Sequence, residues 1–71
     1  MEYLLVNFPE ERGVLIDKVV QGYTGEILEA EKGTHIISLK APPKNFRPKK
    51  KKIVLSATSP LRPREVTFEK I

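Results

Sequence analysis
Apolar and polar side chains take turns along almost the whole chain, and a two-residue period suits extended strands and little else. In YLLVNF, Leu4, Val6 and Phe8 share one face while Tyr3, Leu5 and Asn7 share the other. GVLIDK sets Val14 and Ile16 against Leu15 and Asp17. THIISLKA groups His35, Ile37 and Leu39 opposite Thr34, Ile36, Ser38 and Lys40. KKIVLSA aligns Ile53, Leu55 and Ala57, and EVTFEKI aligns Val66 and Phe68 against Glu65, Thr67 and Glu69. The segment Glu26 to Ala30 lies between two glycines too close together for a stable helix, so it reads as a short strand with Leu28 and Ala30 inward.

Turn chemistry separates these runs. Gly13 closes NFPEERG, Gly22 and Gly25 bracket GYTG, and Gly33 closes EKG, so all four are expected as turn residues that tolerate positive φ. Thr24 is expected to bond local backbone as turn threonines do. KAPPKNFRPKK and TSPLRPRE carry the remaining breaks, because proline cannot donate to a strand ladder. Strands recurring about every 8 to 12 residues point to a sandwich or barrel. The expectation is an all-β chain, residues 1–71 as one domain, folded as a single small antiparallel β-sandwich of about six or seven strands with Ig-like topology.

The 71 residues contain no cysteine, which excludes disulfide staples and thiolate metal sites and fits a reducing, cytoplasmic setting for a stand-alone chain. No apolar run approaches the roughly 20 residues that span a bilayer. MEYLLVNFPEE has an acid at position 2 and no basic leading segment, so it does not read as a secretory signal.

The candidates for chemistry are few. His35 is the only histidine, and it reads as a structural side chain at the start of a strand. A catalytic role would require Asp17, Thr24 or another polar partner in reach. Asp17 reads as a turn cap. Glu10, Glu11, Glu26, Glu29 and Glu31 read as solvated surface. GYTGE leads into an acidic strand, which is the wrong electrostatics for a phosphate cradle. No catalytic residue, metal or cofactor is expected, and the chain reads as a non-enzymatic binding or structural module that contacts another protein or a cell-surface polymer.

The densest chemical feature is KNFRPKKKK, with six cations in nine residues within a chain of net charge +4. One reading is an edge strand or loop whose lysines discourage strand-to-strand aggregation. The other is a site for an anionic partner (nucleic acid, an acidic protein or a lipid headgroup) through Lys44, Phe46, Arg47, Lys49, Lys50, Lys51 and Lys52, with lysines on phosphates and Phe46 beneath a base if the partner is nucleic acid. Alternation sends neighbouring lysines to opposite faces, so they form no single stripe along a strand. Tyr3, Leu5, Leu15 and Ile36 are apolar on nominally outer faces, where a free sandwich is usually polar. They are expected either to lie under loops or to form a patch for a protein partner, self-association included.

From Phe8 onward the chain resembles the PEGA domain, a small β-sandwich module. FPEERGVLID supplies the proline, turn and strand ending in aspartate; QGYTGEI matches through Gly22 and Thr24; LEAEKGTHIISLKAP matches through Leu28, Gly33, His35, Ile37 and Leu39; and Phe46 stands in the aromatic place. Lys18 and Gly25 depart from the pattern, which has glycine and proline there. The resemblance implies a non-catalytic accessory or interaction module, of the kind found within larger, often surface-associated, bacterial proteins. It names no particular ligand.

Overall fold
A computed structural model covers every residue from Met1 to Ile71 and is all-β. The strands are β1 (Glu2–Asn7), β2 (Gly13–Ile16), β3 (Val19–Tyr23), β4 (Ile27–Ala30), β5 (Gly33–Leu39), β6 (Phe46–Arg47), β7 (Lys50–Leu55), β8 (Arg64–Thr67) and β9 (Glu69–Lys70). The total exceeds the expected six or seven because the basic segment and the C-terminal run each add a two-residue strand that pair with one another. One layer has the order β4-β1-β8 and the other β3-β2-β5-β7, with β6-β9 as a small third sheet. All pairings are antiparallel except β1 with β8, which sets Val6 opposite Val66.

Alternation places the core as read. Leu4, Val6, Val14, Ile16, Leu28, Ile37, Leu39, Ile53, Leu55, Val66 and Phe68 are buried between the layers, and Phe46 joins them. Each fully buried aliphatic or aromatic side chain contributes about 1.5–3 kcal/mol. Phe46 stands edge-to-face with Phe8 at 6.3 Å and with Phe68 at 6.1 Å, closing one end of the sandwich. The Arg12 guanidinium lies over the Phe8 ring at 5.5 Å and caps this cluster. Ala57 departs from its expected inward place. It is exposed with φ 55°, because the chain leaves β7 after Leu55 and turns at that point.

The four glycines divide in their roles. Gly25 sits in the turn after Tyr23 with φ 82°, as expected. Gly13 and Gly33 instead open β2 and β5, and Gly22 lies within β3. Gly22 has φ 157°, a backbone conformation that side chains rarely adopt, and an added Cβ there would also displace the end of the Leu28 side chain. The tightest turn uses none. Ile16 and Val19 are joined by Asp17 and Lys18 alone, at φ 52° and 71°, the left-handed pair of a two-residue type I′ hairpin.

The stretch GYTGEILEAEKGTH is therefore a corner between layers. Thr24, buried, donates its hydroxyl to the Glu10 carbonyl at 2.8 Å and accepts the Arg12 N–H at 3.0 Å. Its own N–H donates to the Arg12 carbonyl at 2.9 Å. The bonds reach across to residues 10–12 rather than locally, so the threonine ties two loops together.

Candidate lysine-rimmed binding basin
The hairpin turn at Asp17 positions the chain's one histidine. Asp17 Oδ1 accepts the Ile36 N–H at 2.9 Å, and Oδ2 lies 2.7 Å from His35 Nδ1. His35 Nε2 lies 2.6 Å from the Glu31 carbonyl. Both ring nitrogens face acceptors, so the ring is best satisfied when both carry protons. The Asp17 carboxylate and then the Glu31 carbonyl raise the His35 pKa above its ordinary value. The Ile36 amide and then His35 hold the Asp17 carboxyl below the usual range. With neither nitrogen vacant, the imidazole acts as a clasp between β5 and the turns at Asp17 and Glu31. Thr24 belongs to the corner with Glu10 and Arg12 and takes no part.

The basic segment separates into four environments: core, ion pair, outer strand face and basin. Phe46 is 8% exposed, so its ring belongs to the core and too little of it reaches the surface for a base to stack on it. Arg47 Nε donates to Glu69 Oε2 at 3.0 Å across the β6–β9 pair. Lys51 turns inward from β7, its ammonium 5.8 Å from the Phe68 ring. Lys52 points outward on β7, opposite Ile36. Phe46, Arg47 and Lys51 thus serve the fold, and the seven candidate residues do not make one surface.

Lys44, Lys49 and Lys50 do converge. With Lys18, brought in by the β2–β3 turn, they ring a basin of about 660 Å3 on the outer side of β5 and β7. Ile36, Leu39, Ala41, Phe46 and Ile71 supply its apolar lining, and Ser38 adds a hydroxyl. The acidic ion-pair partners in the protein are Glu10, Asp17 and Glu69, and none of the four lysines is bridged to them. The one carboxylate at the rim, Asp17, is already engaged by Ile36 and His35. Four uncompensated ammonium groups around a greasy floor create a local positive field over a surface that gains by losing water. The basin's volume lies within the usual range for ligand sites.

Two of these contributors escape a linear reading. Lys18 looks like a turn residue 26 positions before Lys44, and only its left-handed hairpin aims it at the loop after β5. Ile36 is apolar on an outer face of its strand, which is the signal in the sequence for a covered or ligand-binding spot. Tyr3, Leu5 and Leu15, the other apolar residues on outer faces, are half-buried.

The acids are also less uniform than a solvated surface. Glu10 accepts from Lys70 Nζ at 2.9 Å, from Arg12 at 3.0 Å and from Asn45 Nδ2 at 3.3 Å, a hub that lowers its pKa. Glu11, Glu26, Glu29 and Glu31 are exposed, as read. No helix is long and apolar enough to cross a membrane. No protein-family model, curated protein or solved structure matches the chain.

Proposed function
We infer that the chain is a non-enzymatic binding module whose basin takes an acidic segment of a partner protein, with the partner's apolar side chain on the Ile36 floor and its carboxylates on Lys18, Lys44, Lys49 and Lys50. The observation that carries this reading is the ring of four unbridged lysines around an apolar hollow. Two facts support the non-enzymatic part: the His35 ring is occupied on both nitrogens, and its carboxylate partner is spent on the same clasp. The PEGA-like pattern, an interaction module by resemblance, agrees with it. A polyanion such as nucleic acid would use the same lysines, but the buried Phe46 and the paired Arg47 remove its stacking platform.

The test is an amide-shift titration with a synthetic peptide of aspartates flanking a Leu-Phe pair, run beside a single-stranded oligonucleotide. Peptide-induced shifts at Ile36, Ser38, Ala41 and Lys50 that vanish when the four rim lysines become glutamine are the expected result. Shifts confined to other faces, or none, would overturn the reading. Tighter binding of the oligonucleotide by the same residues would transfer the basin to nucleic acid.

A further inference from the structure
The two layers each end in a strand with an unpaired edge, and two of those edges carry opposite charge. β4 pairs only with β1 and β7 only with β5. No bond outside these ladders uses the main chain of residues 27–30 or 50–55. β4 and the residues beside it bear Glu26, Glu29 and Glu31, whereas β7 bears Lys50, Lys51 and Lys52. Each edge also exposes one large aliphatic side chain: Ile27 is 46% exposed and Val54 59%. Two copies of β7 would set lysine against lysine, and two copies of β4 glutamate against glutamate. Like charges directly opposite destabilise a strand pair and opposite charges favour it, so the edges reject themselves and accept each other.

We propose that the partner of the β4 edge is the β7 edge of a second copy of this chain, so that copies join head to tail through a continuous sheet. One antiparallel register satisfies every position. It sets Ile27 opposite Val54, Glu29 opposite Lys52 and Glu31 opposite Lys50 on the outer face. On the inner face it sets Leu28 opposite Ile53 and Ala30 opposite Lys51, which keeps each core residue on its own side. A shift of one residue would set Glu29 against the core side of β7, and a shift of two would break the Ile27–Val54 and Glu29–Lys52 pairs, so pleat and charge together select the register.

The chain path permits this pairing. The β3–β4 turn puts those two strands on one flank of the sandwich, while β7 and β8 end the two layers on the other. Tracing the antiparallel pairs and that turn shows that β4 and β7 run in the same direction. A half-turn between neighbouring copies therefore sets β4 and β7 antiparallel with their inner faces on the same side. The contact is heterologous and leaves one free edge of each kind, so growth is open-ended rather than closed at two. The surface meets the basin only at Lys50, whereas Lys52 and Val54, which carry the central contacts, do not line it.

Sedimentation velocity over a concentration series, at about 0.02 M and about 0.5 M salt, tests the assembly, because the higher salt shortens the screening length to a few ångströms. Mass rising without a plateau at low salt and falling toward one chain at high salt is expected. Glu29→Lys and Lys52→Glu should each weaken association about tenfold, and the double variant, with the charges exchanged, should restore it. Amide exchange on the unaltered protein gives an independent readout: protection of β4 and β7 should rise together with concentration. A mass that stays at one chain, that plateaus at two, or that ignores the charge exchange would overturn the proposal, as would protection of only one of the two strands.

Discussion

Asp17 and His35, eighteen positions apart, meet at 2.7 Å because the β2–β3 turn and the start of β5 lie side by side. The Ile36 amide and then His35 move Asp17 downward, and Asp17 and then the Glu31 carbonyl move His35 upward, each toward its charged form. A raised histidine pKa contributes stability that is complete below the unfolded value of about 6.5 and is lost as pH rises through the folded value. The lowered Asp17 pKa contributes stability present above about 3.9 and lost as pH falls through its folded value. The pair therefore supports the fold most between those two limits.

The urea midpoint of the native chain should decline from pH 6 toward pH 9, and that decline should flatten in His35→Gln. The acid limb is less diagnostic, because Glu2, bonded by Thr58, and Glu10, bonded by Lys70, also have lowered pKa values. Parallel profiles for the two proteins above pH 6 would show that the clasp has no energetic role.

Thr24→Val keeps the shape of the corner but strips the hydroxyl from the Glu10 carbonyl and the Arg12 N–H. Leaving such groups without partners should cost about 1–3 kcal/mol in equilibrium unfolding. Thr24→Ser keeps the hydroxyl and should recover most of that loss. A loss in Thr24→Ser with none in Thr24→Val would point to the methyl group rather than the hydrogen bonds.

Lys18 serves two masters, and replacing it should move them in opposite directions. Lys18→Gly relieves a left-handed residue at φ 71° and should stabilise the fold by about 0.5–1 kcal/mol. The same change removes one of four rim charges and should weaken capture of the acidic peptide by a few fold, about 1 kcal/mol or less for an exposed charge. Thermal melting and the peptide titration, run on one preparation, check both signs.

Phe46 and its lysine neighbours line the same basin but should differ sharply in what they contribute to stability. Phe46→Ala opens a cavity between Phe8 and Phe68 and should cost about 3–5 kcal/mol. Lys49→Gln with Lys50→Gln should stay within about 0.5 kcal/mol of the native chain while reducing peptide binding. A stable Phe46→Ala protein would contradict its place in the core.

The turns show how far a reading of the chain reaches. Gly25 and Asp17 are recognisable as turn residues by their chemistry, yet nothing local distinguishes Gly25 from Gly22, which is held inside a strand by Leu28. Likewise KNFRPKKKK looks like one basic unit. Its division into core, ion pair and basin depends on which neighbours each side chain meets, and those neighbours come from β9, from Phe68 and from the Asp17–Lys18 turn.

What this chain determined by itself is the inside of the sandwich: strict alternation commits Leu4, Val6, Ile37, Leu39, Ile53, Leu55 and Val66 to one face, because the pleat of a strand has a period of two whatever it packs against. Only the tertiary structure decided the outside. Lys18 reached Lys44, Asp17 reached His35 and the acidic and basic edges were placed on opposite flanks because strands distant in sequence were paired, and such pairings depend on the register and order of the whole sheet rather than on any local pattern.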